Sequence, residues 1–290
     1  ILKKFAATEL VLNSKNQVYH LGLSPENIAD KIILVGDQER VSLVSSQFDS
    51  IEFKSSHREF FCHTGSFNGK RISAISTGIG TDNIDIVINE IDALFNIDLD
   101  RKCEKEKKKH VEMLRIGTCG ILQSDIPVHS YVLSEYALGL DNVGHFYDLS
   151  SSIEEESLLN DVMSENIFPK HVIPYIKKAT TELMNKFDGP SCHKGITVTS
   201  SGFYGPQGRE LRLPTHTRGL HEKLERFQSS NNHRFVNFEM ESSALFTLGQ
   251  GLGHSCATIC LGIANRPNLT FSSDYSKDMI KLIQYALERI

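Results

Sequence analysis

One α/β domain is the architecture that the sequence predicts, on three observations. Short runs rich in Val and Ile alternate with segments of helical period along the whole 290-residue chain. Glycines close several of those runs, as they do at strand-to-loop turns. No internal repeat, low-complexity tract or Pro/Ser-rich linker interrupts the alternation, so a length compatible with about two domains is read as one.

Taken in order, Lys31-Ile32-Ile33-Leu34-Val35-Gly36 reads as a buried strand ending in a glycine turn. Arg71 to Thr77 reads as a second strand, closed by Gly78-Ile79-Gly80. From there, with Asp82 or Asn83 as cap, apolar residues recur at Ile84, Val87, Ile88, Ile91, Leu94 and Phe95, the stripe of an amphipathic helix. The charged segment Asp98–His110, with Lys105-Glu106-Lys107-Lys108-Lys109, reads as a solvated excursion. Val111 to Ile116 is a strand ending in Gly117-Thr118-Cys119-Gly120. Further strands are expected at 130–134, 196–200 and 256–263, and a helix after Glu239. A last helix runs from about Ser273 to Ile290, where Met279, Ile283, Leu287 and Ile290 share a face.

The 31 basic and 36 acidic residues leave a formal charge of −5, which gives no electrostatic reason to expect nucleic acid or a membrane surface as partner. No apolar run approaches the ~18–20 residues of a membrane span. The six cysteines form no C-x-x-C pair, and Ile1 to Phe5 carry no apolar signal segment. Reduced thiols and a cytoplasmic location are therefore expected.

Ligands of open α/β sheets gather at the carboxyl ends of strands. Three such ends here combine glycine with a cation or hydroxyl: Gly36 to Arg40, Gly78 to Thr81 and Arg115 to Gly120. Glycine lets backbone N–H groups approach an anion, and arginine offers a planar fork matched to phosphate oxygens. Together the loops suggest a phosphate pocket, although a tight turn accounts for each one singly. No P-loop, dinucleotide-binding glycine fingerprint, H-E-x-x-H or G-x-S-x-G pattern occurs, and the histidines lack ligand spacing. No metal site is expected. The loop Phe203 to Arg209 joins aromatic, amide and guanidinium groups, which suits a flat heterocycle. Glu239 and Glu241 stand where a helix begins, as ligand contacts or as partners of its dipole.

Read together, seven segments resemble the uridine phosphorylases of the trimeric/hexameric nucleoside phosphorylase family. They are Tyr19-His20-Leu21-Gly22-Leu23, Val35 to Val41, Ser56-His57-Arg58-Glu59-Phe60, Ser76 to Gly80, Arg115 to Thr118, Phe203 to Arg209, and Asn237 to Ser242. They occur in the family's order from about residue 18 onward. The resemblance implies a mixed, twisted, partly barrel-like sheet flanked by helices, in a single domain spanning 1–290. Residues 1–17 are then an N-terminal extension, and 98–110 an insertion.

The reaction implied is reversible attack of inorganic phosphate on uridine, giving uracil and ribose 1-phosphate, a step of pyrimidine salvage. Carried over by motif, Gly36, Arg40, Arg115 and Thr118 cradle phosphate, and Arg58 is lent to it by a neighbouring subunit. Met240, Glu241 and Thr118 hold the ribose, with His20 reaching the 5′-hydroxyl from the partner. Phe203, Gln207 and Arg209 take the base, and Arg115, Arg209 and Glu241 carry the catalysis. A homodimer is the minimal active unit and a homohexamer the expected assembly. Phosphate is a co-substrate and no cofactor is expected. A monovalent cation such as K+ is matched at Glu59 and Ile79, while Asn83 stands in place of the third ligand, a serine, so the resemblance leaves that ion open. Two other departures are Gly205-Pro206, exchanged relative to the bacterial pattern, and Phe238 in place of a tyrosine.

Purine members of the family carry an aspartate that protonates the purine N7, whereas Gly262-Ile263-Ala264-Asn265-Arg266 offers no acid. A pyrimidine is therefore expected. A purine phosphorylase, a nucleosidase using water, or a non-catalytic nucleoside binder are the alternatives. Three arginines around a neutral water would have no purpose, which favours phosphate over the nucleosidase.

Overall fold

The computed structural model describes residues 2–290. Strand β1 (Lys31–Val35) is almost wholly buried, as its unbroken apolar run requires. Asp37 then caps helix α1 (Gln38–Ser45) by accepting from the Glu39 N–H at 2.7 Å. The stretch 36–40, read as a loop, is thus half helix, and Arg40 rides on its first turn. An antiparallel meander follows: β2 (Ser50–His57), β3 (Phe60–Phe67) and β4 (Lys70–Ser76). The first two strands carry no clear signal because β2 is mostly exposed and lacks an apolar run. Helix α2 (Thr81–Asn96) buries the expected stripe. It is capped by Gly80 at φ 98°, not by Asp82 or Asn83, and Asp82 instead lies inside the first turn, facing the helix dipole.

The segment 98–110 departs from the solvated excursion expected. Strands β5 (Ile97–Asp98) and β6 (Cys103–Glu104) form a small hairpin that bridges Lys4 to Cys103. The Phe5 N–H donates to the Lys102 carbonyl and the Glu104 N–H to the Lys3 carbonyl, both at 2.9 Å. Leu99 and Cys103 are buried beneath it, while residues 106–110 remain exposed. Two buried side chains and an isolated bridge to Lys4 turn what reads as a charge run into a clasp for the N-terminal stretch.

Strand β7 (Glu112–Ile121) continues through Gly117 and Gly120 instead of ending before them. After it come β8 (Tyr131–Gly139), α3 (Ile153–Ser164), β9 (Tyr175–Lys178), α4 (Thr181–Lys186) and β10 (Cys192–Thr199). Then follow α5 (Leu220–Arg226), β11 (Phe235–Glu239), α6 (Ser242–Gly251), β12 (Ser255–Asn265), β13 (Thr270–Phe271) and α7 (Ser276–Leu287). Glu239 ends a strand, and Glu241 is the residue from which α6 starts. As the final helix's spacing predicts, Met279, Ile283, Leu287 and Ile290 are all buried.

The sheet closes on itself in part. Along one edge β7 pairs in parallel with β12 over its whole length. Its other register is shared: β1 pairs in parallel with residues 112–116, and β11 pairs antiparallel with 120 and 121. The path β7–β12–β8–β10–β11 therefore returns to β7 as a five-stranded barrel, and β1–β4–β3–β2 extends from it as an open arm. Between Ile116 and Gly120 the neighbour of β7 changes, and its edge is left open. In α/β sheets such a change of neighbour is where a crevice forms. No helix among the described residues is long and apolar enough to cross a membrane.

Because Leu114 is fully buried on the strand common to barrel and arm, Leu114→Ala should destabilise the protein by about 2–5 kcal/mol. Urea denaturation monitored by circular dichroism measures this, and a midpoint unchanged from wild type would contradict the shared-strand account.

Candidate active site

A cavity of about 1100 Å³ occupies the crevice at the open edge of β7. Nine of the eleven residues expected to bind substrate line it: Gly36, Arg40, Arg115, Thr118, Phe203, Gln207, Arg209, Met240 and Glu241. They come from the end of β1, the first turn of α1, the middle of β7, the loop after β10 and the junction of β11 with α6. Sequence separations of up to about two hundred residues are thus closed by strand pairing alone.

At the cavity floor Arg115 is 5% exposed. Its Nη2 contacts Glu241, its Nη1 lies 3.3 Å from Glu239 Oε2 and donates to Cys260 Sγ at 3.5 Å, and its buried Nε has no partner. Gly117 makes room for this fork, since a β-carbon there would stand 2.2 Å from Arg115 Nη1. Glu239 is held by the Thr199 hydroxyl at 2.5 Å, the Ser242 hydroxyl at 2.9 Å and the N–H groups of Glu241 and Ser242 at 3.0 Å. Glu241 accepts from the Gly80 N–H at 2.8 Å, which ties the β4–α2 turn to the start of α6.

Charge in this cluster is finely opposed. Burial pushes the Glu241 carboxyl up, Arg115 pulls it back, and Glu239 adds to the rise. Burial works against the Arg115 charge, but Glu241 and Glu239 outweigh it, so the guanidinium is held more firmly protonated than usual. Arg40 is pushed down by burial, with Asp37 opposing at 3.7 Å and the like charge of Arg115 adding to the fall. Two buried guanidinium groups that repel one another at a cavity wall, one with an unpartnered N–H, suit a small polyvalent anion.

The opposite end is built differently. Gly205–Gln207 make a short 3-10 turn and Gly208 follows in the left-handed region, at φ 71°. Gln207 is buried, and Arg209 donates to the Phe203 carbonyl at 2.7 Å and contacts Gln207 Oε1. The Arg209 guanidinium lies 3.8 Å from the centroid of the Phe203 ring, so one face of the ring expected to pack on a base is taken by arginine. Arg266 donates to the Gln207 carbonyl at 3.1 Å. Burial, then the charge of Arg266, push Arg209 down to about 10. Ile263, Ala264, Asn265 and Arg266 line this end without an acid, and Leu269, Thr270 and Phe271 form its rim.

His20 and Arg58, the two residues assigned to a neighbouring subunit, do not line their own chain's cavity. They lie side by side elsewhere. His20 Nδ1 is 2.7 Å from Glu90 Oε1, its carbonyl is 2.7 Å from His57 Nδ1, and Arg58 sits 5.6 Å over the Tyr19 ring. Arg58 occupies a hairpin tip at φ 56°, and the next residue, Glu59, lines the cavity. Sequence reasoning missed Arg266 and Cys260 as members of the site. The sequence marks Arg266 only as part of a segment without an acid, and Cys260 sits in an apolar run indistinguishable from core. Among the described residues no group of three or more His, Cys, Asp or Glu side chains is arranged to hold a metal ion.

The family model of the phosphorylase superfamily matches residues 30–287. The uridine phosphorylase of Haemophilus influenzae is 30% identical, with 86% of each chain covered. That of Thermococcus kodakarensis is 28% identical over 96% of this chain and 88% of its own. A solved Trypanosoma brucei nucleoside phosphorylase, described as showing uridine phosphorylase activity, superposes with a TM-score of 0.86 at 27% identity, covering 97% of this chain and all of that one. The overall fold is shared with that structure, and the chain belongs to the phosphorylase superfamily.

Proposed function

We propose that this cavity catalyses the reversible phosphorolysis of uridine to uracil and ribose 1-phosphate, as a pentosyltransferase. One observation carries the reading: two buried arginines at one end, a carboxylate beside them, and at the other end an amide–guanidinium pair with no acid. Phosphate fits between Arg40 and Arg115, with the Gly36 backbone and Thr118 completing the cradle. Its oxygen attacks C1′ as the glycosidic bond breaks. Glu241, locked by Arg115 and Gly80, accepts the 2′- and 3′-hydroxyl protons, and Met240 packs on the sugar. Gln207 and Arg209 meet the carbonyl and N3 edge of the base, and Arg209 stabilises the negative charge on the departing uracil. The groups act by position and preorganised charge, with no covalent enzyme intermediate.

The hairpin tip supports a shared site. Glu59 faces its own cavity while Arg58 turns away at positive φ near His20, an arrangement that favours a site completed by a second copy. A homodimer is the minimal active unit, assembled further as a homohexamer. Six unpaired thiols agree with a cytoplasmic setting. The domain spans 1–290, with 1–17 an extension and 98–110 an insertion that the extension clasps.

Uracil release from uridine should depend on added phosphate, with inosine inert; equal release without phosphate sinks the phosphorolysis reading. Arg40→Ala should raise the KM for phosphate roughly 10- to 100-fold with little change in the KM for uridine. Arg209→Ala should instead lower kcat by roughly 10²–10³. A steady-state titration of each substrate separates the two, and identical effects on both would refute the assignment of ends. Mixing inactive Arg58→Ala and inactive Arg115→Ala chains should restore activity if Arg58 acts across subunits, and none if it acts within its own chain.

A further inference from the structure

A side-chain relay outside the cavity, His129–Ser272–Asp278, has no part in the chemistry above. His129 Nδ1 contacts Asp278 Oδ2 on α7, and its Nε2 lies 2.8 Å from Ser272 Oγ. The order Asp, His, Ser is that of a nucleophilic triad, but the Ser272 hydroxyl donates to the Asp274 carbonyl at 3.0 Å, and the Ser272 N–H is bound to the Ile263 carbonyl at 2.8 Å. Ser272 is tied down and not activated. We propose that His129 is a positioning residue that latches the 266–272 flap over the base end of the cavity and so sets the affinity for the nucleoside.

The flap needs such a tie. Leu269, Thr270 and Phe271 form the cavity rim, and Leu269 and Phe271 are 87% and 70% exposed. Its own secondary structure is one two-residue strand, pairing Thr270 with Asn265 and Phe271 with Ala264. So short a pairing is marginal in water. Leu269 stands at φ 54°, an uncommon state for a bulky residue that persists only when its surroundings enforce it. On one side Asn265 and Ser124 hold Asn268, through bonds of 2.8 and 3.0 Å. On the other, the residue next to the rim is Ser272, and its side-chain anchor is His129.

His129 is itself placed at a cost. It sits at φ 69° in the turn before β8, where glycine is the natural occupant, and its N–H donates to the Gly262 carbonyl at 2.7 Å. Asp278 is fixed in turn by Lys281 at 2.9 Å, and hydrogen bonds from Lys281 and His129 hold its carboxyl below the usual range. The chain thus keeps a strained histidine at the one point where an imidazole reaches from α7 to the flap.

The affinity statement rests on the uridine reading, so the test has an arm independent of turnover. His129→Gly removes the imidazole and suits the positive φ, so the fold is kept; Ser272→Ala cuts the same latch from the other side. Both should raise the KM for uridine roughly tenfold, while kcat and the KM for phosphate stay within about twofold, and the double variant should be no worse than either single one. Hydrogen exchange should show the Ser272 amide and its flap neighbours opening faster in both. An unchanged KM for uridine, an equal rise in the KM for phosphate, or unchanged flap exchange overturns the latch. Faster flap exchange in variants of an enzyme that does not cleave uridine supports the latch and discards the uridine reading alone.

Discussion

The ion cluster of Arg115 with Glu239 and Glu241 is the constraint on which the rest of the site depends. Each of the three is buried, and a buried charge is tolerated only when paired and hydrogen-bonded. Glu239 spends its oxygens on Thr199, Ser242 and two backbone N–H groups, which welds β10, β11 and α6 together. Glu241 reaches Gly80 and so joins the open arm to the barrel. What is left over is a guanidinium edge and a carboxylate edge facing the same cavity. The fold's stability and the shape of this cavity floor rest on the same three side chains, so neither can drift without the other.

Topology decides where this cluster can exist. Among the described residues β7 is the only strand paired with both the barrel closure and the open arm, and its edge lies free between Ile116 and Gly120. Glycine there serves two purposes, giving space to Arg115 and keeping side chains out of the crevice. Residues from remote parts of the chain meet because the end of β1, the first turn of α1, the middle of β7, the loop after β10 and the β11–α6 junction all lie beside that gap. The base end hangs from β12 and the loop after β10, and its charges are weaker partners: Arg209 and Arg266 repel, and burial disfavours both.

Much of this was legible in the sequence, for reasons that differ by residue. β1, α2 and α7 announce themselves by apolar runs or stripes, because burial on one or both faces dictates which residues occur there. The meander strand β2 does not, because it is exposed and its partner supplies the pattern. Arg40 and Arg115 stand near glycines that follow apolar runs, a pattern a tight turn also explains. Glu241 at a helix start also suits the dipole, so these residues became site candidates through the resemblance. The cap of α2 falls on Gly80 and not on Asp82 or Asn83, since a glycine cap leaves no side-chain signal, whereas the helix expected after Glu239 is present as α6. Segment 98–110 looked like a solvated charge run because Leu99 and Cys103 are too few to show a period, and the stretch that bridges to Cys103 lies about a hundred residues earlier. His129 was invisible: its φ and its partners on α7 and the flap exist only once the chain is folded.

The close approach of Arg115 to Gly117 has a consequence for how the chain can diversify. Since any side chain at 117 displaces the fork, and the fork holds two buried carboxylates, positions 115, 117, 239 and 241 form one heritable unit spread over two strands and a helix start. Single exchanges within it leave an orphaned charge or a clash, so a new anion specificity at this floor is reachable only by concerted replacement. The adaptable part of the molecule is then the flap and the Phe203 to Arg209 loop, where substrate range can evolve without reopening the core.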